Sequence, residues 1–312
     1  MQPEILFPID QPVMPEARQI GRRPMIELLE KTLASPSHTW LIGERRIGKT
    51  SVAKAVLARS RGAGGIALDV DLSRPGIDSP EALAGDIARQ AQAAAAGAES
   101  TAQRIGRFTR GRRNQVKGLG EALKGLGFED AAAALSATSA ILASADDGAP
   151  GLDKTLQALA LHARATEHRV WLLLDEVHLL GNLDSAEQTV AHWCHEHGSP
   201  LVFLFAGSEE SAARELREPG RPLNAVGEEF KLIEIAFEDW LAGLRARFEE
   251  AGVKIADGEI FTLLQASDGH PRRTMMIASR VNHSVASQPD RRADATLVEL
   301  AIHDAKRDRS WR

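Results

Sequence analysis

One short stretch, GERRIGKT at residues 43–50, constrains the fold of this chain more than any other. Its first and sixth positions are glycines, and Lys49 and Thr50 follow directly. An apolar run, TWLI, precedes it, and SVAKAVLARS follows with apolar residues at helical spacing. A glycine loop between a buried strand and a helix binds phosphate, because its backbone N–H groups and the helix N-terminus face the anion. We therefore expect a phosphate loop.

The residues of this loop have separate expected roles. Lys49 is expected to reach the β- and γ-phosphates and to assist catalysis, and Thr50 to offer its hydroxyl to a magnesium ion. Arg45 and Arg46 do not break the pattern, because their side chains can point outward while their backbone serves the phosphate. The expected nucleotide-binding positions of the loop are Gly43, Arg46, Ile47, Gly48, Lys49, Thr50 and Ser51.

Apolar runs that alternate with helical stretches predict the order of the elements. Strands are expected at 39–42, 65–72, 170–175, 200–208 and 230–235. Such alternation is typical of an α/β fold with a mainly parallel sheet covered on both faces. The stretch from about 73 to 169 is an insert rich in Ala and Gly, with helices expected at 80–96, about 100–125 and 152–168.

The C-terminal part reads differently, as helices without strands. Four helical stretches follow residue 236, and Gly or Pro marks several of their ends. We therefore divide the chain into an N-terminal linker at 1–24, a core at 25–236 and a small all-helical subdomain at 237–312.

A pair of acids ends the third predicted strand, VWLLLD. Asp175 is in the right place to hold magnesium, and Glu176 to polarise the attacking water as general base. The alternative is a pair that only caps the next element. Ser208 ends the fourth strand, where it either contacts the γ-phosphate or caps the following helix. In GHPRRTMM, Arg272 or Arg273 either reports the nucleotide state or belongs to a solvated helix start.

Taken together, these features resemble the AAA+/STAND superfamily of P-loop ATPases, which are of the ASCE type. The branch that the chain resembles most is the archaeal-type ATPase (MNS) clade with its bacterial relatives. IGRRPMIELLEKTL is similar to the "GRE…L…L" box that precedes the loop in these proteins. The resemblance implies that Ile20, Gly21 and Arg22 wrap the adenine and that residues 237–312 form a lid. An arginine finger is not obvious in the sequence. Arg214, Arg217 and Arg221, before the fifth strand, are in the right stretch for one, and the alternative is that all three are surface charges.

Two further clusters carry alternative interpretations. The formal net charge of −5 excludes a global basic field, yet the stretch from Arg104 to Lys124 is basic and either contacts duplex DNA or is a solvated face. Its basic residues are Arg104, Arg107, Arg110, Arg112, Arg113, Lys117 and Lys124. His192 and His195 have the helical spacing of zinc ligands, but no second ligand pair is near, so a partly buried helix is favoured.

The composition indicates the cellular compartment in which the protein is expected. A lone cysteine, Cys194, allows no disulfide within the chain, and the longest apolar runs are too short to span a membrane. We therefore expect a cytoplasmic protein with no membrane partner.

These observations predict an ATPase with ATP and Mg²⁺ as cofactors. The first hypothesis is a molecular switch whose nucleotide state controls homo-oligomerisation or a partner protein. The alternative is a DNA-engaging AAA+ regulator of the transposition or loader type. A third is a non-catalytic ATP-binding scaffold.

Overall fold

The structure is a computed structural model that describes residues 6–9, 11–13, 16–35, 37–62, 66–106, 151–166, 169–208 and 213–311. The chain forms two compact units. The loop unit comprises Met1–Leu28, Gly43–Ala55 and Lys231–Arg312, and the sheet unit comprises Leu29–Ile42 and Val56–Phe230.

Five strands of the described residues form one parallel sheet with the order β2-β3-β4-β1-β5. They are β1 (Thr39–Gly43), β2 (Ile66–Asp71), β3 (Val170–Asp175), β4 (Leu201–Ser208) and β5 (Glu228–Lys231). The accompanying helices are α1 (Arg23–Ala34), α2 (Lys49–Gly62), α3 (Pro80–Gly106), α4 (Leu152–Thr166) and α5 (Ala186–His195). The register pairs Leu172 with Leu68 on one side and with Phe203 on the other.

Both faces of this sheet are covered by helices. Alternate strand residues such as Trp40, Leu172 and Phe203 share one apolar cluster with the inner faces of α3, α4 and α5. Residues of opposite parity, such as Leu173, are also buried, and the indole of Trp171 on that face donates to Leu33 O in α1. This confirms the predicted parallel sheet flanked by helices, whose strands are apolar on both sides.

The strand order determines where a ligand belongs in the sheet unit. The chain leaves β1 for the far edge, at β2, and returns through β3 and β4 to the position beside β1. In open α/β sheets, ligands bind outside the carboxyl ends of the strands at the point where the strand order reverses. The predicted phosphate loop follows the carboxyl end of β1 directly.

The C-terminal part of the loop unit is a bundle of four helices, α6 (Phe237–Glu250), α7 (Asp257–Ser267), α8 (Pro271–Val285) and α9 (Ala295–Lys306). Trp240, Phe248 and Ile277 are at the centre of its core, which also contains Phe7. The four predicted helices are confirmed. One detail is corrected, because a two-residue parallel pair, β6 (Lys254–Ile255) with β7 (Arg292–Ala293), joins two inter-helix connections. Two residues are too short to show a strand pattern.

Two elements of the sheet unit differ from the sequence prediction by more than one residue at an end. The fifth strand was expected at 230–235, but β5 ends at Lys231 and begins where Glu228 N donates to His38 O. Residues 232–235 are mostly apolar because Leu232 and Ile235 pack in the loop unit, not because they pair in a ladder. The predicted break between two insert helices is absent, because α3 continues through Gly97 to Gly106. The rest of the helix expected at about 100–125 lies outside the described residues.

Candidate phosphate-binding site

The loop between β1 and α2 has positive φ at two successive turning points, a feature that it shares with anion nests. Arg46 adopts left-handed backbone angles with φ 63°, and Gly48 has φ 105°. Successive residues in right- and left-handed conformations turn their N–H groups into one concavity, which binds anions. Ile47 is buried, whereas the side chains of Arg45 and Arg46 are exposed, as expected from the sequence.

Lys49 is the first residue of α2 and is almost fully buried, at 8% exposure. Its ammonium donates to Gly43 O at 3.0 Å and to Glu44 O at 2.7 Å. The cation therefore lies across its own loop, next to the nest. Thr50 follows it and is half-buried.

Ser51 makes a different contact from the one expected of it. Its hydroxyl oxygen accepts the backbone N–H of Val13 at 3.0 Å, and its carbonyl accepts the side-chain amide of Gln19 at 2.7 Å. In this structure, Ser51 ties the N-terminal segment to the first turn of α2.

Arg22 lies under the phosphate loop. Its guanidinium donates to Ile47 O at 2.9 Å and to Ile233 O at 2.6 Å, and the residue is 6% exposed. Burial lowers the pKa of this guanidinium to about 10, so the side chain remains charged at neutral pH. The resemblance placed Arg22 at the adenine; the structure places its guanidinium on two backbone carbonyls.

Ile20 and Gly21 pack against α6 and line a cavity of about 240 Å³. A Cβ atom on Gly243 would lie 2.6 Å from the Ile20 side chain, so Ile20 can pack against α6 only because residue 243 is a glycine. Gly21 has φ 63°, and a Cβ there would meet Ile235 at 2.7 Å. The cavity is also lined by Arg18, Gln19, Asp239, Ala246, Arg247 and Glu250.

The start of α8 separates the two candidate arginines. Arg272 is buried, whereas Arg273 donates to Trp311 O at 3.1 Å, lies over the Trp311 ring and approaches Asp268. His270, just before the helix, has its Nε2 atom 3.2 Å from Arg45 O in the phosphate loop. Burial is the largest cause of a lowered pKa at His270.

The acid pair lies at the carboxyl end of β3, in the sheet unit. Asp175 is buried, and its Oδ1 accepts the backbone N–H of Glu176 at 3.0 Å. Glu176 is left-handed, with φ 53° and ψ 44°, and its carboxylate lies 3.4 Å from His178 Nδ1. A left-handed non-glycine residue costs energy and is typical of functional turns.

The remaining candidates of the sheet unit occupy separate positions. Ser208 is the last residue of β4 and is half-buried. Arg217 stacks on Trp40 and forms an ion pair with Glu229. Arg221 donates to Glu187, and Arg214 is exposed.

Some of the predicted features cannot be located in the described residues, and others are not part of a metal-binding cluster there. Most of the basic stretch, from Arg107 to Lys124, is outside, and so are the side chains of residues 104–106. Among the residues that the structure describes, no group of three His, Cys, Asp or Glu side chains is arranged to hold a metal ion.

Burial raises the pKa of Cys194. Within the described ranges, no helix combines the length and the apolar character needed to cross a membrane.

Three roles were missed by the sequence analysis. Arg22 grips the phosphate loop, His270 reaches it from α8, and the buried Arg247 donates to Leu6 O and Arg18 O. These contacts join residues far apart in the chain, so no local pattern encodes them. The proline after His270 indicated only where a helix begins.

Comparisons with known proteins place the fold. No family model matches the sequence, and no curated protein matches it. Solved structures do match, each at low identity. A Walker-type ATPase of Pyrococcus abyssi aligns at 17% identity over 97% of this chain and 76% of that one, with a TM-score of 0.64. The ORC2 protein of Aeropyrum pernix, solved in ADPNP-ADP complexes, aligns at 15% identity over 97% and 71%, with a TM-score of 0.64.

A third match is the RuvB Holliday junction branch migration motor of Thermotoga maritima. It aligns at 14% identity over 91% of this chain and 70% of that one, with a TM-score of 0.52. At these identities the likeness concerns the fold alone. The chain therefore shares the fold of the Walker-type ATPase, a parallel sheet flanked by helices.

Proposed function

We propose that this chain is an ATPase that binds ATP in the loop at residues 43–51 and uses the nucleotide state as a switch. The observation that supports ATP binding most directly is the conformation of the loop. Left-handed Arg46, Gly48 and the N-terminus of α2 form a nest for anions, with the Lys49 ammonium beside it. No other described part of the chain combines these features.

The residues of the chain have the following proposed roles. Lys49 leaves its loop carbonyls for the β- and γ-phosphates, and the backbone from Arg46 to Ser51 cradles them. Thr50 and Asp175 would hold magnesium, which prefers hard oxygen ligands and needs few from the protein when phosphates supply the rest. The ion would neutralise charge that develops on the phosphates.

Hydrolysis needs a water that is oriented and polarised. Glu176 is the proposed general base, because its carboxylate is exposed while that of Asp175 is buried and held by a backbone N–H. Ser208, at the end of β4, is proposed to contact the γ-phosphate. Arg272 or Arg273, at the start of α8, is proposed to contact the nucleotide and report its state.

The cavity beside Ile20 is the proposed adenine site. Its wall includes an apolar side chain, Ile20, and the backbone of Gly21, which suit a flat ring with polar edges. Arg22 is not proposed to contact the base, because its guanidinium binds Ile47 O of the phosphate loop.

The switch role is supported by the way the loop unit is built. The phosphate loop and the four C-terminal helices belong to one compact unit, and His270 touches the loop directly. A nucleotide that moves the loop therefore acts on these helices. The resemblance to STAND ATPases of the archaeal-type (MNS) branch supports a homo-oligomer or a partner protein as the receiver of this signal.

A DNA-engaging regulator is the second candidate. One matching structure is the Aeropyrum pernix ORC1 protein in complex with DNA, with a TM-score of 0.57, and another is a Holliday junction motor. The basic stretch from Arg104 to Lys124 would supply phosphate contacts. Stimulation of ATP hydrolysis by duplex DNA would favour this candidate over the first.

The proposal is tested by comparing Lys49→Ala with Lys31→Ala, a substitution of an exposed lysine on α1. The parent and Lys31→Ala should be stabilised by MgATP in a thermal-shift assay and should release phosphate. Lys49→Ala should fold but show neither effect, because the phosphates lose the cation of the loop. Equal stabilisation of all three proteins by ATP would refute the site.

A further inference from the structure

Two side chains from distant parts of the loop unit hold carbonyl groups of the phosphate loop. Arg22, just before α1, donates to Ile47 O at 2.9 Å. His270, just before α8, lies 3.2 Å from Arg45 O. A carbonyl oxygen only accepts, so the Nε2 atom of His270 must carry the hydrogen. Neither residue is part of the loop.

The direction of these carbonyls determines the direction of the next amides. A trans peptide is planar, and its C=O and the following N–H point in opposite directions. A donor that pulls Ile47 O outward therefore turns the N–H of Gly48 inward. In the same way, a donor on Arg45 O turns the N–H of Arg46 inward, at the residue with left-handed φ 63°.

The Arg22 side chain is held by two hydrogen bonds. Its guanidinium also donates to Ile233 O at 2.6 Å, so it ties the loop to the segment that leads into α6. The residue is 6% exposed, and Ile47 is 3% exposed. The bond to Ile47 O is buried, and because water cannot replace a buried donor, losing it would leave that carbonyl unsatisfied.

The His270 contact is weaker and comes from a different element. Within the described residues, its Nδ1 atom is buried and has no hydrogen-bond partner, so the Arg45 carbonyl is the ring's polar contact with the loop. Trp240 in α6 donates to Gly269 O at 2.9 Å, which anchors the turn that carries His270. The loop is thus gripped from two sides.

We infer that Arg22 and His270 are positioning residues that hold the phosphate loop in its anion-binding shape from outside. They grip the carbonyls of Ile47 and Arg45, so that the amides of Gly48 and Arg46 face the phosphates before nucleotide arrives. This inference rests on the proposed binding of ATP. It differs from a role in adenine binding, because neither side chain needs to touch the nucleotide.

The test separates the phosphate part of binding from the nucleoside part. Affinities for ATP and for adenosine are measured by calorimetry on the full chain with His270→Ala, His270→Gln and Arg22→Lys. Loss of one uncharged hydrogen bond should lower ATP affinity about three- to tenfold in His270→Ala. His270→Gln retains a side-chain N–H donor and should remain within about twofold of the parent. Arg22→Lys keeps the charge but cannot serve two carbonyls in a fork, and should lose about tenfold or more.

Adenosine binding should be unchanged in every variant that folds, as judged by its thermal midpoint without nucleotide. ATP affinity equal to the parent's in His270→Ala, or an equal loss of ATP and adenosine affinity, would overturn the inference. If Arg22→Lys does not fold, the two His270 variants still decide. A parent protein that binds no ATP would overturn the proposed function and this inference with it, whereas a parent that binds ATP alongside unaffected variants would overturn the inference alone.

Discussion

The backbone N–H of Glu176 donates to Oδ1 of the preceding Asp175, 3.0 Å away. This bond fixes the Asp175 carboxylate at the end of β3 while the left-handed turn at Glu176 carries the next carboxylate away from it. Asp175 is 4% exposed, whereas the Glu176 side chain is 43% exposed. Two adjacent acids thus have different environments, which suits a buried metal ligand beside an exposed base.

The first prediction concerns Glu176→Gln, which preserves the size of the side chain and removes the base. ATP hydrolysis should fall by a factor of about 10² to 10⁴, while ATP affinity changes little. If ATP assembles the active form, this variant should also accumulate as a larger, long-lived species in size-exclusion chromatography. Phosphate release is the measurement, and Glu299→Gln, on the exposed face of α9, is the matched control. Hydrolysis at the parental rate would show that Glu176 is not the general base.

The second prediction uses the backbone strain at the same residue. Left-handed angles cost a non-glycine residue about 1 kcal/mol, and glycine gives back a similar amount in unfolded-chain entropy. The free energy of unfolding of Glu176→Gly should therefore be within about 1 kcal/mol of the parent's. Glu176→Val, β-branched and disfavoured at positive φ, should lose clearly more. Urea unfolding measures both, and equal stabilities would show that the turn relaxes.

The third prediction concerns pH and His38. Its Nε2 lies 3.1 Å from Cys194 O, and its Nδ1 accepts the N–H of Phe203 at 3.1 Å. Burial is the largest cause of its lowered pKa. Protonation would place a hydrogen on Nδ1, facing the Phe203 donor, so the folded state resists it. Below the ordinary histidine pKa of 6.5, the unfolded chain binds a proton that the folded chain refuses.

Folding stability should therefore decrease as the pH falls below that value, with a slope of up to about 1.4 kcal/mol per pH unit from this residue. His38→Gln removes the titration and should flatten the dependence, measured by urea unfolding between about pH 7.5 and 5.5. His303→Gln, at an exposed position of α9, is the matched control for the substitution itself. A parental slope in His38→Gln would contradict the assignment.

The sheet was predictable because its strands are apolar on both faces and end at turn signals. VWLLLD and LVFLFAGS became β3 and β4 with almost the expected bounds. The end of β5 was not predictable, since residues 232–235 are mostly apolar although Leu232 and Ile235 pack in the loop unit instead of extending the strand. Gly43 explains the departure, because a Cβ there would lie 2.7 Å from Leu232 O, where the chain passes close to the loop.

The residues of the candidate site also fall into those that the sequence could predict and those that it could not. Glycine spacing and strand ends located the loop and the acid pair, because these features are local. The contacts of Arg22 and His270 are separated from their partners by 25 and 225 positions, and they depend on how the unit packs. The IGRR segment suggested an adenine contact for Arg22, and it gave no sign of the carbonyls that Arg22 holds.

The fourth prediction tests the proposed adenine cavity through a helical glycine. Gly243→Ala would place a Cβ 2.6 Å from Ile20 and push that side chain into the cavity. ATP affinity should fall, while affinity for inorganic pyrophosphate stays unchanged. Gly258→Ala is the control, because a Cβ there meets nothing within 4 Å, and alanine in a helix is about 1 kcal/mol better than glycine. Unchanged ATP affinity in Gly243→Ala would place the adenine elsewhere.

The fifth prediction addresses duplex DNA. If the stretch from Arg104 to Lys124 binds duplex, affinity should fall steeply with salt, with a logarithmic slope of roughly −0.9 per neutralised phosphate. Replacing Arg107, Arg110, Arg112 and Arg113 together by Ala should flatten this slope. The control replaces four exposed arginines of the described residues, Arg23, Arg89, Arg164 and Arg245, and should leave the slope as it was. The measurement is fluorescence anisotropy of a labelled duplex with ATP present, from about 50 to 200 mM salt. Absence of binding at the lowest salt would remove the DNA-engaging candidate, because electrostatic contacts are strongest there, and would leave the protein-controlling switch.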